Sequence, residues 1–433
     1  MSKLLIEGAT VVTLNRDNAV YSPGDIILED ERLVYVGPSQ RRLAWQPDRV
    51  ISGQGKIALP GFINTHTHAA MTLFRSYADD LALKPWLEEK IWPLETKLTP
   101  EAVYWGTMLA CLEMLEAGVT AFADMYFYSE ETVRAVAESG LRADVAPGLI
   151  GVAPQAEQAL VQAVDFVKRI QASAGGRIRA RLGPHAPYTC PPSYLKEVVS
   201  AARELGCGIH IHLAETKREV EELKAQTGHS PVELLHEILG EVGPVPVLAA
   251  HCVHLSNEDV RLLAEDGVGV AHNPGSNLKL ASGLAPLADL ITAGVKVGLG
   301  TDGAASNNNL DVLEEMRLAT LLAKLATGDP TAVPAATALR LATLSGAEAL
   351  GLGEEIGSLE AGKQADVILL NEEQAHLFPR HDVISRIVYA ARSADVDTVI
   401  VAGEVLLENG RPVKLDREKI LAEAQRQAEK LLG

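Results

Sequence analysis

The 433-residue chain is short of several things, and each shortage narrows what it can be. Its four cysteines, Cys111, Cys190, Cys207 and Cys252, form no CxxC pair. That argues against a sulfur-ligated metal or a disulfide framework and for reduced, buried thiols. Positive charge is scarce: 39 Lys and Arg stand against 57 Asp and Glu, a formal net charge of −18. Affinity for a phosphate backbone rests on Lys and Arg, so no nucleic-acid partner is expected. The acidic surplus reads as a solvated face. No apolar run reaches the roughly 20 residues that span a bilayer, and "MSKLLIEGATVVTLNRDN" lacks the layout of a signal peptide. The expectation is a cytoplasmic protein with no membrane partner. Internal repeats and low-complexity segments are also missing.

What is present is ordinary in bulk and specific in pattern. Hydrophobic residues make up 47% and charged residues 22%, as in folded soluble proteins, and the length suits one large domain or two. Residues 1–60 read as strands, with the β-branched runs "KLLIEGATVVTL", "GDIILEDERLVYVG" and "KIALPGF" between turn residues. From 61 to 355, short apolar runs ("GVTAFADMY", "RARLGPHAP", "CGIHIHLAE", "PVLAAHCVH", "GVGVAHNP", "VKVGLGTDG") alternate with helical stretches such as "SPVELLHEILGEV", "NEDVRLLAEDG" and "LAPLADLITAG". That alternation predicts a parallel sheet with helical crossovers, buried on both faces. After 356 strand character returns in "GSLEAGKQADVILL" and "DTVIVAGEVLLENGRPV", and the tail has apolar residues at helical spacing. The fold class expected is α/β: a (β/α)8 TIM barrel over 61–355, and a small composite β-sandwich domain built from 1–60 and 356–433.

Polar residues gather at the carboxyl ends of the apolar runs. His66 and His68 close the first, His185 follows "RARLGP", His212 and Glu215 follow "CGIHI", His251 closes "PVLAA", His272 follows "GVGVA", and Asp302 follows "VKVGLGT". Seven of the 12 histidines lie in or beside these runs. In a closed barrel these ends share one rim, where such folds place their chemistry. His66 and His68 are one residue apart, so on a strand they point to one face. Imidazole nitrogens and a carboxylate suit zinc, with His66, His68, His212 and Asp302 as ligands. No lysine lies near Gly148–Val152 or in "RARLGPHAP" to bridge a second metal, so one zinc ion per subunit is expected.

The segments "GFINTHTH", "GPHAPYTC", "IHLAET", "HCVHL", "HNPGSNLKLASG", "LGTDGAASNNNLD" and "GSLEAGKQADVILL" together resemble the amidohydrolase superfamily, and within it the 5-methylthioadenosine/S-adenosylhomocysteine deaminases. The likeness covers nearly the whole chain. It implies the barrel with its composite β-sandwich, zinc on the four residues above, and a small-molecule nucleoside substrate. Metal-activated water would attack C6 of the adenine ring. Glu215 would shuttle a proton to N1, Asp302 would take the second proton toward the leaving amino group, and His251 would stabilise the oxygen that develops charge. His185 in "GPHAPY" would contact the substrate. Glu95 in "WPLE" would bind ribose hydroxyls, and Trp86 would pack near the nucleoside. The same likeness allows a homo-oligomer, which composition does not show.

Plainer readings stand beside these. Trp86 serves equally as core, and Glu95 without the resemblance is an unremarkable surface acid. His210, on one face with His212, is expected as a packed, hydrogen-bonded neighbour. His254 and His272 are expected to be structural, and His229, His236, His376 and His381 at the surface. Asn273, Ser276 and Asn277 either shape the pocket or cap loops; for Asn307–Asn309 loop geometry competes with binding. Substrates such as S-adenosylhomocysteine carry a carboxylate that calls for a cation, ideally arginine. Where many family members have that arginine, this chain has Pro147, and the nearby candidate is Arg142. This tilts the expected substrate toward neutral nucleosides: 5′-methylthioadenosine, 5′-deoxyadenosine or adenosine. The alternatives are deamination of guanine or another heterocycle, triazine hydrolysis, and a non-catalytic assembly scaffold.

Overall fold

The computed structural model describes residues 3–39, 46–172 and 176–433. Five strands come first: β1 (Lys3–Val12), β2 (Val20–Glu29), β3 (Arg32–Pro38), β4 (Arg49–Ser52) and β5 (Lys56–Pro60). Nine barrel segments follow: β6 (Phe62–Thr67), β7 (Val119–Tyr126), β8 (Arg142–Leu149), β9 (Ile178–Ala180), β10 (Gly183–Pro184), β11 (Ile209–Leu213), β12 (Val247–His251), β13 (Gly269–His272) and β14 (Lys296–Leu299). Four more close the chain: β15 (Val367–Asn371), β16 (Val396–Val401), β17 (Glu404–Glu408) and β18 (Arg411–Pro412).

The barrel closes through parallel pairing. β6, β7 and β8 pair in order, and both β9 and β10 pair with β8, so they act as one interrupted fourth strand. A bridge from Leu182 to Ile209 and the bond from His212 N–H to His185 O (2.9 Å) join that strand to β11. β11 to β14 pair in sequence. The ring is completed where Asp302 N–H donates to His66 O at 2.9 Å. Eight parallel strands with helical crossovers make the expected (β/α)8 barrel. β7, β11 and β12 are buried along their whole length, which is why they read as continuous apolar runs.

Strands from both chain ends form one nine-stranded sheet in which β5 pairs β15 antiparallel. β1 is bulged between Ile6 and Val11, pairing β4 before the bulge and β5 after it. A strand that switches partners at a bulge turns a sheet over its own core, here Leu4, Ile6, Ile26, Leu28, Val367 and Ile400. Gly61 separates β5 from β6; a Cβ there would sit 2.1 Å from Thr120 Oγ1, so glycine lets the chain pass from sheet to barrel against β7. Helix starts follow sequence signals: Thr216, Ser230 and Ser256 each form a capping box. "LAPLADLITAG" is helical only over Leu287–Thr292, because Ala285, the residue before Pro286, is sterically disfavoured in the helical region. In the tail helix Arg417–Leu432, Ile420, Ala424 and Leu431 are buried while Leu421 and Leu432 face solvent. All four cysteines are free and buried.

Candidate active site

Four imidazoles and two carboxylates converge at the carboxyl ends of the barrel strands. His66 Nε2 and His68 Nε2 lie 3.4 and 3.3 Å from Asp302 Oδ1, and His212 Nε2 lies 3.2 Å from His68 Nε2. The nitrogens of His66, His212 and His251 also lie within 4.8 Å of one another. Rings of His66 and His68 meet edge to face at 4.9 Å, as expected of residues i and i+2 on one strand face. The closing turns are strained: Ala214, His251 and Asp302 all have positive φ (51°, 74° and 60°). Non-glycine residues adopt that conformation at a cost and cluster at functional sites.

Each ring is held by its other nitrogen. His68 Nδ1 faces Met125 O at 2.6 Å and His212 Nδ1 faces His185 O at 2.8 Å. A carbonyl only accepts, so both Nδ1 atoms carry a proton, and in the neutral rings both Nε2 atoms present lone pairs. Two lone pairs 3.2 Å apart repel unless a cation lies between them. His66 Nδ1 meets His210 Nε2 at 2.8 Å, and buried His66 Nε2 has no hydrogen-bond partner among the described residues. The 3.2–3.4 Å spacings match the roughly 3.3 Å edge of a tetrahedron with bonds of about 2.0–2.1 Å. The donor set therefore fits a divalent metal ion.

The electrostatics agree. Burial lowers His66 to about 4 and His212 well below its usual value, which keeps them unprotonated. Burial would also lower His68, but the hydrogen bond and charge of Asp302 raise it to about 9. Asp302 is held well below the carboxylate range by His66 and His68, against the effect of its burial. This pair demands a positive charge between its members, from a proton or from a metal. Burial raises Glu215, whose Oε2 lies 3.9 Å from His251 Nε2.

The sequence-derived candidates fall in two groups on this rim. His66, His68, His212, His251, Glu215 and Asp302 form the cluster, and the His185 ring stands 4.8 Å from that of His212. Glu95 Oε1 accepts from Tyr126 Oη at 2.8 Å, and the Tyr126 ring lies 6.0 Å from that of His68. Glu95 is thus joined to the cluster through one side chain, and burial raises its pKa to about 7. Trp86 is buried with Phe74, Ile91, Leu94 and Tyr126, and its Nε1 has no acceptor among the described residues.

Several plainer expectations are resolved. His210 is the hydrogen-bonded neighbour expected, and His254 Nε2 is tied to Ser282 O at 2.6 Å. His376 departs from the surface expectation: it is partly buried and paired with buried Asp395 at 2.8 Å. Asn277 Oδ1 meets His251 Nδ1 at 2.9 Å, and Ser276 Oγ donates to Asp302 Oδ2 at 2.6 Å. Arg142 cannot meet a substrate carboxylate. It starts β8, at the barrel end away from the site, and is buried against Asp366 at 2.7 Å. Pro147 is aligned with Tyr126 near the rim.

Sequence reasoning overlooked Tyr126, Ser306, Glu219 and Glu315. Ser306 Oγ donates to Asp302 Oδ2 at 2.9 Å. Glu219 accepts the N–H groups of Ala214 and Glu215 at 3.1 and 2.8 Å, fixing the backbone that presents Glu215. Its signal was the capping pattern Thr216-x-x-Glu219; Glu315 has no local signal.

A closed parallel barrel with imidazoles and a carboxylate meeting on its carboxyl rim defines a metal-dependent barrel enzyme. The chain belongs to the amidohydrolase family, whose model matches residues 57–406. It is 54% identical to a 5-methylthioadenosine/S-adenosylhomocysteine deaminase of Pelotomaculum thermopropionicum, over 100% of both chains. It is 48% identical to a 5′-deoxyadenosine deaminase of Methanosarcina mazei, over 100% of this chain and 99% of the other. A crystal structure of an adenosine deaminase from Xanthomonas campestris with bound zinc superposes with TM-score 0.95 at 36% identity, covering 100% of this chain and 99% of that one.

Proposed function

We propose that the protein deaminates adenosine-type nucleosides hydrolytically, using one zinc ion per subunit held by His66, His68, His212 and Asp302. The observation that carries this reading is the placement of Glu215, a carboxyl whose pKa is raised by burial, beside His251 and the metal-fitting cluster. Zinc at this position supplies Lewis-acid activation of water near neutral pH. Glu215 passes a proton to N1 of the adenine, which makes C6 more electrophilic. His251, fixed through Nδ1 by Asn277, stabilises the oxygen that develops charge as the C6–O bond forms. Asp302 relays the second proton to the exocyclic nitrogen. The C6–N bond then breaks, and ammonia leaves an inosine-type nucleoside. His185 contacts the base, Glu95 takes the ribose hydroxyls, and Trp86 walls the nucleoside. We assign the barrel to 61–355 and the composite domain to 1–60 with 356–433.

With Arg142 committed to Asp366 and proline at 147 on the rim, neutral 5′ groups are favoured over the charged tail of S-adenosylhomocysteine. The test is ammonia release by zinc-loaded protein from 5′-methylthioadenosine, S-adenosylhomocysteine, 5′-deoxyadenosine, adenosine, adenine and guanine. The neutral 5′-modified nucleosides should lead. If S-adenosylhomocysteine leads, the preference argued from Pro147 is wrong. Turnover of free bases alone would remove the nucleoside reading and the role of Glu95.

A further inference from the structure

Glu315 lies on the helix Val312–Thr327 and is completely buried, yet it touches no group assigned to the reaction. Its two oxygens divide between two turns. Oε2 accepts the N–H of Gly275 at 2.8 Å, in the turn Pro274–Lys279 that follows the seventh barrel strand. Oε1 accepts from Asn307 Nδ2 at 2.8 Å, in the turn Ala304–Asn307 that follows the eighth. The same Asn307 amide reaches Thr301 O at 2.8 Å, one residue before Asp302.

Those two turns carry the side chains that hold the reactive groups. Ser276, on the first, and Ser306, on the second, both donate to Asp302 Oδ2 at 2.6 and 2.9 Å, and their hydroxyls touch at 3.0 Å. Asn277, also on the first, holds His251 Nδ1. The backbone is shaped to admit the acid: a Cβ at Gly275 would stand 2.3 Å from Glu315 Oε1 and 2.7 Å from Asn307 Oδ1. Filling that volume alone would call for leucine or methionine, because a buried carboxyl is costly without partners. Here both oxygens are spent on aligning two loops.

We propose that Glu315 is a positioning residue, a single carboxyl strut that joins the turns after the seventh and eighth strands and so fixes Asp302 Oδ2 and His251 Nδ1 relative to each other. The reaction it serves rests on the deaminase reading above. Glu315→Gln keeps the volume but turns one acceptor into a donor. Side chains that touch a metal ligand, as Ser276 and Ser306 touch Asp302, typically matter ~10–100-fold in affinity or activity, which is the upper bound for a strut that acts through them. Chelator competition should show zinc affinity reduced on that scale. At saturating zinc, kcat should fall similarly while KM for the nucleoside stays unchanged. Because the strut acts in part through Ser276, the double variant with Ser276→Ala should lose less than the product of the two single losses. Wild-type zinc affinity and kcat in Glu315→Gln, losses that multiply in the double variant, or a loss confined to KM would each overturn the proposal. If Glu315→Gln does not fold, Asn307→Ala cuts one side of the strut and must reduce zinc affinity; no change there overturns it too. Zinc affinity is read without substrate, so a wild-type protein that releases no ammonia would sink the deaminase reading and leave this measurement decisive.

Discussion

At the scale of single residues, the chemistry depends on which groups hold protons. Glu215 is buried and that burial raises its carboxyl above the usual range, the direction a proton shuttle requires. Glu215→Gln removes the shuttle without touching the imidazole cluster. We expect kcat to fall by about 10²–10⁴-fold while bound metal, measured by elemental analysis, stays at the wild-type level. Near-normal turnover would remove Glu215 from the mechanism. The residues legible from sequence are those whose type announces their chemistry, histidine at a strand end and a carboxylate after it. Tyr126 was not legible, since a tyrosine inside an apolar strand looks like core until its hydroxyl is seen on Glu95.

At the scale of elements, two buried acids brace the loops. Burial raises Glu219 to about 7 and Glu315 to about 8, from an ordinary 4.5. Between 4.5 and those values the folded protein holds protons that the unfolded chain has released. Their contribution to stability is therefore complete below about 4.5 and is lost as pH climbs through 7 and 8. Urea unfolding followed from about pH 5 to 8.5 should show Glu315→Gln losing less stability than wild type across that range; parallel pH dependences would show that Glu315 does not titrate there. The strands and most capped helices could be read from alternation and from Ser/Thr-x-x-Glu/Asp signals, whereas the short helix Leu287–Thr292 had a longer apparent pattern cut by a proline.

At the scale of the whole molecule, one buried ion pair ties barrel to sheet. Arg142, at the start of β8, donates to Asp366 just before β15, at 2.7 and 3.1 Å, and to Gln364 Oε1 at 3.0 Å. Removing one member leaves the other charged and buried, at a cost of about 3–5 kcal/mol. Arg142→Ala should lose stability on that scale in denaturant unfolding, with relative turnover of S-adenosylhomocysteine and 5′-methylthioadenosine unchanged. A specific loss of S-adenosylhomocysteine turnover would return Arg142 to the site.

The sequence by itself determined the periodicity, and with it the barrel and the sheet shared by both chain ends. It also determined which residue types stand at the strand ends, because i, i+2 geometry and buried parallel strands leave local marks. Pairings between distant segments were decided only in three dimensions. Whether the arginine of "LRADV" faces substrate or Asp366 depends on which barrel end it occupies and on a partner 224 residues away. Whether Ser276 caps a loop or holds Asp302 depends on the seventh and eighth strands lying side by side. Glu315 has no local pattern, since a carboxyl that bridges two loops is specified by where those loops meet and not by its neighbours in the chain.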